Sequence, residues 1–169
     1  SSITMASALD RWIIGLAWMM AFVALFFEPA GVAICGWEGL AECKDVSTIG
    51  AVWHVYANRF DPIFFSLPLW LKIMCALDTI LFSWLYIAVA IFLPRGVIDT
   101  SAPARCLCLL GAGALIYSTI VYFTYEFMAE AHRANLTMVT LVNLPWTIWP
   151  ILVAYRIATP PPSQREKVA

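Results

Sequence analysis

Four stretches of twenty or more mostly apolar residues follow one another along this 169-residue chain. A helix needs about 20 such residues to cross about 30 Å of hydrocarbon, and a backbone in lipid satisfies its polar groups only as helix or closed barrel. The first stretch runs from Trp12 to Ile34 with Glu28 as its charge, and the second from Leu67 to Leu93 with Lys72 and Asp78. The third runs from Cys106 to Met128 with Glu126, and the fourth from Met138 to Ile157 with Arg156. They predict an all-α polytopic membrane protein, a four-transmembrane-helix bundle forming one domain over residues 1–169.

Composition supports the same class and removes others. The chain is 62% hydrophobic and 12% charged, where a soluble one lies nearer half apolar and a quarter charged. Ten Lys and Arg against eleven Asp and Glu leave a net charge of −1, so no basic surface is expected for nucleic acid. Five cysteines are too few for a disulfide-built scaffold. Cys35 and Cys43 share the long loop, where a bridge or two free thiols are both compatible with the spacing. Cys106 and Cys108 have no histidine nearby, so no metal is expected, and no cofactor motif is present.

The long connection, Cys35 to Ser66, separates the first two spans; the later loops are short, which makes helices two, three and four antiparallel neighbours. With the N-terminus in the cytosol, Arg11, Arg95, Arg105, Arg156, Arg165 and Lys167 face it. Lys44, Arg59, Lys72 and Arg133 then lie opposite, a distribution that favours cytoplasmic termini. The first span lacks a basic leader and is longer than a signal-peptide core. The tail Thr159–Ala169 opens with three prolines and is expected to be extended and solvated.

Acids inside a bilayer are costly and mark functional or paired positions. At about 1.5 Å per residue, Asp78 lies about 12 Å beyond Trp70, Glu28 about 9 Å from the end of its span, and Asn143 and Trp146 about 8 and 12 Å into theirs. These groups and Glu126 therefore occupy one layer. Ser118, Tyr122 and Glu126 recur at helical spacing, and Thr140, Asn143, Trp146 or Thr147, and Pro150 form a second stripe. Together with Asp78 and Glu28 they predict a polar pocket closed by aromatic side chains. Simpler roles stand beside this one: Glu126 at headgroup depth, Glu28 at a kink before Pro29, Asn143 as glue between helices.

The ordered set of motifs resembles the EXPERA family. Trp53-His54-Val55-Tyr56-Ala57, Phe60-Asp61-Pro62 and Trp70-Leu71-Lys72 followed by Asp78 are similar to its sigma-2 receptor branch. Ile116-Tyr117, Tyr122-Phe123 and Glu126, then Asn143-x-x-Trp146 with Pro150, are similar to its sterol isomerase branch, the emopamil-binding proteins. The resemblance spans about Trp12 to Arg156 and implies a central lipophilic cavity in an endoplasmic reticulum membrane protein. It implies Glu28 and Asp78 as catalytic carboxylates, with Asp61, Tyr117, Tyr122, Glu126, Asn143 and Trp146 binding the substrate. Ala24 stands where the isomerases carry a histidine, and the layout follows the shorter sigma-2 pattern.

Proton transfer to an alkene or epoxide needs a carboxylic acid that keeps its proton and a group that stabilises a cation. Glu28 and Asp78 are the expected pair, aided by the face of Trp146. The expected activity is an isomerase or cyclase acting on a sterol-like or terpenoid-derived lipid, without cofactor. The alternative is a non-catalytic sterol or lipid binder; an assembly subunit is a third possibility. Expected partners are the bilayer and a lipophilic small molecule, with a homodimer left open.

Overall fold

A computed structural model describes residues 7–29, 36 and 48–159. The Cys35–Cys43 pairing and most of the tail lie outside them. Every regular element among the described residues is helical, and four helices are long and apolar enough to cross a membrane: α1 (Ala8–Phe27), α4 (Leu69–Phe92), α6 (Ala102–Glu130) and α7 (Leu136–Ala158). Between α1 and α4 lie α2 (Thr48–Arg59) and α3 (Ile63–Ser66), and before α6 lies the single turn α5 (Val97–Thr100). The fold is therefore the expected four-span all-α membrane bundle.

Two helices begin four residues earlier than their apolar runs. Ser7 caps α1 by accepting from the Asp10 amide, while Asp10 reaches back toward the Ser7 amide. Ser101 caps α6 by accepting from the Ala104 amide, with Pro103 inside the first turn. Such caps satisfy amides that have no partner in the helix, so the cap sets where the helix starts and the apolar onset sets where lipid starts.

The segment expected as a loop, Cys35 to Ser66, contains two helices. Trp53, Tyr56 and Ala57 stand at i, i+3 and i+4 and give α2 one packing face. Ala57 is fully buried, and the Phe64 ring of α3 sits 5.2 Å from Trp53 and 5.6 Å from Tyr56. The Asn135 amide donates to the Phe60 carbonyl at 2.8 Å, joining this layer to the α6–α7 turn. Leu67 carries the chain into α4 with a left-handed φ of 35°, and Pro68 follows as the helix cap.

Small residues bring α1 against its neighbours. Ala17, Ala21 and Ala24 are buried beside Tyr86, Val89 and Ala90 of α4, where short side chains let backbones approach without a hydrophobic drive from water. Trp149 of α7 fills the same core and donates its indole N–H to the Ile13 carbonyl at 3.0 Å. At this end Arg156 is only 5% exposed. It donates to Asp10 at 2.7 Å and to both oxygens of Asp99 at 2.9 and 3.0 Å. It thus ties α1, α5 and α7 together, in addition to contributing to the charge bias at that end.

Toward the other end, each spanning helix departs from regular α geometry. Wide π turns occupy Val23–Phe27 in α1, Asp78–Phe82 in α4 and Glu126–Glu130 in α6. In α7 the interruptions are Pro145 and Pro150. Pro150 lacks the N–H that would bond the Trp146 carbonyl, and the Thr119 hydroxyl of α6 approaches that oxygen at 3.4 Å. π turns and prolines open the helical ladder and re-aim side chains, and those of α1, α4 and α7 put Val23, Phe27, Asp78, Phe82 and Pro145 on the wall of one cavity.

Candidate functional site

The cavity measures about 440 Å³, within the range of small-molecule sites. Its apolar wall comes from all four spans together with α2 and α3; Met74, Phe27, Trp53, Phe64, Leu115 and Val142 represent the six contributors. Met19, Val52 and Val142 are also exposed on the outer surface, so the cavity reaches toward lipid between α1, α2 and α7.

Two carboxyl groups enter this apolar space. Asp78 is 8% exposed and accepts from the Tyr86 hydroxyl at 2.5 Å and from the Trp146 indole N–H at 3.3 Å. Glu28 lines the same cavity with a buried Oε2 that has no hydrogen-bond partner. The two acids lie close enough to repel one another if both are charged. The buried Trp53 indole N–H, also on the wall, likewise lacks a partner. The site thus presents one acid with a donor on each carboxyl oxygen and one, beside the Thr79 hydroxyl, that keeps an open oxygen.

A second polar group lies behind the wall at Tyr122. Asp61 is fully buried; its Oδ2 accepts from the hydroxyls of Tyr122 and of Tyr56, the latter at 3.3 Å. Burial pushes the Asp61 carboxyl up to about 6, opposed by the Tyr122 and Tyr56 hydroxyls. The Asn143 amide donates to the Tyr122 oxygen at 3.4 Å and to the Val139 carbonyl at 2.9 Å. Glu126 is fully buried with neither carboxyl oxygen hydrogen-bonded.

Of the residues singled out from sequence, Glu28, Asp78, Tyr122, Asn143 and Trp146 line the cavity together. Asp61 and Glu126 stand outside its lining and reach it through Tyr122 at most. Tyr117 is not brought to the site: it is 71% exposed on the outer face of α6. It precedes Ser118 of the inward stripe by one residue, a rotation of about 100°. Tyr86, Trp53, Tyr56 and Thr119 were not among the expected site residues. Trp53 and Tyr56 belong to the motif block of α2 and were legible as an aromatic face; Tyr86 carried no such signal, because its alignment with Asp78 depends on a π turn.

Among the described residues no cluster of His, Cys, Asp and Glu is arranged to hold a metal ion. No protein-family model matches the chain, and no curated protein or solved structure is significantly similar to it. Fold and site define a polytopic four-helix membrane protein whose lipophilic cavity carries an unlike pair of acids.

Proposed function

We propose that the protein is a membrane isomerase or cyclase that acts by proton transfer on a sterol-like or terpenoid-derived lipid. The observation that carries this reading is the unequal bonding of the two acids. Two donors favour the carboxylate form of Asp78 over that of Glu28, and the open oxygen of Glu28 suits a carboxylic acid that can reach a substrate. Glu28 then gives its proton to one alkene carbon, forming a C–H bond and leaving a cation on the neighbouring carbon. The Asp78 charge and the Trp146 ring stabilise that cation. Asp78 accepts a proton from an adjacent carbon, the double bond re-forms in a new place, and the lipid leaves as an isomer. In the cyclase variant a second alkene attacks the cation before the proton is lost.

The resemblance to the EXPERA family supports the same substrate class and an endoplasmic reticulum location, and the distribution of Lys and Arg supports cytoplasmic termini. One observation favours a second reading, a non-catalytic lipid binder. Ala24, where EXPERA isomerases have a histidine, is fully buried in packed core and offers no polar group to the cavity. Incubation of the purified protein with sterols and polyene epoxides in heavy water separates the two. Deuterium in recovered substrate or product, lost in Asp78→Asn, supports the enzyme. Binding of a labelled sterol with no deuterium entry and no rearrangement supports the binder.

A further inference from the structure

The proposed reaction leaves Glu28 without its proton and Asp78 with one, so exchange with solvent after a turnover means one proton delivered to Glu28 and one removed from Asp78. The buried acids behind Tyr122 offer a route. We propose that Glu126 and Asp61 form a proton-exchange path that joins the surface pair Glu130–Arg133 to the cavity wall at Tyr122. The proposal rests on the enzymatic reading for its purpose and on the geometry of these residues for its existence.

Glu126 and Asp61 are both fully buried, and three of their four carboxyl oxygens have no hydrogen-bond partner. Unsatisfied buried carboxyl oxygens are expensive and are rarely kept unless a proton or a transient partner visits them. The charged groups that act on Glu126 are Asp61, Glu130 and Arg133. Asp61 is acted on by the neutral Tyr122 and Tyr56 hydroxyls, the Ile63 backbone amide and the Glu130 charge. Glu130 is held by Arg133, whose Nη2 donates to Oε1 at 2.8 Å, and the Arg133 side chain is 45% exposed, so this end of the path meets water. At the other end the Tyr122 hydroxyl touches Asp61 and lines the cavity, with Ser118 one turn along the same wall.

Each transfer conserves its atoms. A proton on Glu126 passes to Asp61, leaving Glu126 ionised and ready to be refilled from the surface. The Tyr122 hydroxyl, which donates to Asp61 at rest, turns to the cavity; Asp61 then donates to the Tyr122 oxygen while the hydroxyl gives its own proton to the ionised Glu28 across the cavity, so that Asp61 ends as a carboxylate and the phenol is neutral before and after. The same steps in reverse carry the Asp78 proton out, so no proton accumulates over a turnover. No redox partner or cofactor is needed.

The test follows the carboxylic C=O stretch of the full-length protein by infrared spectroscopy on transfer from water to heavy water. Loss of a band in Glu28→Gln or Asp78→Asn assigns it to the cavity pair. The expected result is that Glu126→Gln slows deuteration of that band about tenfold or more, equivalent to about 1.4 kcal/mol of barrier. Glu126→Asp restores the rate, and backbone amide exchange stays unchanged. Tyr122→Phe, which keeps the ring and removes the hydroxyl, slows the same band and serves if Glu126→Gln does not fold. Deuteration as fast as in the unaltered protein, or slowed only in step with the amides, overturns the path. So does the lack of any protonated cavity band. Because this readout needs no substrate, a failure to deuterate lipids sinks the enzymatic reading separately. An unchanged band in a protein that does deuterate lipids sinks the path alone.

Discussion

Tyr86 donates its hydroxyl to Oδ1 of Asp78 at 2.5 Å although eight residues separate them on one helix. In a regular helix eight residues turn the chain through about 800°, which leaves the two side chains about 80° apart. The π turn at Asp78–Phe82 takes up one additional residue and returns Tyr86 to the face of Asp78. The turn therefore decides which group bonds the acid, and Tyr86, itself fully buried beside Trp149, is locked in place.

Tyr86→Phe removes one of the two donors to a buried carboxylate and leaves the ring packing intact. Stability is expected to fall by about 1–3 kcal/mol. Deuterium transfer to substrate falls with it, because Asp78 loses a contact that orients it. Thermal unfolding in detergent and the heavy-water assay report the two effects; a variant equal to the unaltered protein in both would remove Tyr86 from the site.

Tyr117 and Asn143 make a matched comparison. Tyr117→Leu alters an exposed residue of the lipid-facing surface, and its stability effect is expected within about 0.5 kcal/mol with ligand binding unchanged. Asn143→Leu strips the Tyr122 oxygen of its amide donor and the cavity of a polar group, and binding of a labelled sterol weakens. Equal effects in the two variants would contradict the placement of the cavity.

Arg156 lies between two carboxylates in a nearly dry site, so removing it alone leaves two buried like charges. Arg156→Met is expected to cost about 3–5 kcal/mol, whereas the triple replacement with Asp10→Asn and Asp99→Asn recovers most of that loss. Thermal denaturation of the single and triple variants checks the relation. Full loss in both would mean that the charges contribute more than mutual compensation.

Asp61 gives the protein a pH dependence with a definite sign. Its folded-state value of about 6 lies above the ordinary 3.8, so the folded form binds the proton more tightly than the unfolded one. This contribution is fully present below about 3.8 and is lost as pH rises to about 6, a total of about 3 kcal/mol. The unfolding midpoint should therefore drop across that window relative to Asp61→Asn, which has no such titration. A parallel pH response in both proteins would assign the effect to other groups.

The separate contributions of chain and fold are clearest in α6. Its apolar run, its length and the spacing of Ser118, Tyr122 and Glu126 are properties of neighbouring residues, and they place a span with a polar stripe before any packing is known. Transfer of apolar side chains out of water adds up residue by residue, so four spans are legible in composition alone. The cavity shared by Glu28, Asp78, Tyr122, Asn143 and Trp146 follows from the same local arithmetic of rise and rotation. Tyr117 fell outside because one residue of rotation separates the cavity from lipid. The link from Tyr86 to Asp78 required a π turn, the helix at Thr48–Arg59 required a layer to fold against, and Arg156 required Asp10 from 146 positions earlier. Those relations depend on register accumulated along a helix or on contacts between distant segments. The sequence by itself determined the solvent, the number of spans and the stripes on which the acids lie; the tertiary structure alone decided their partners, because a hydrogen bond depends on direction and distance in three dimensions.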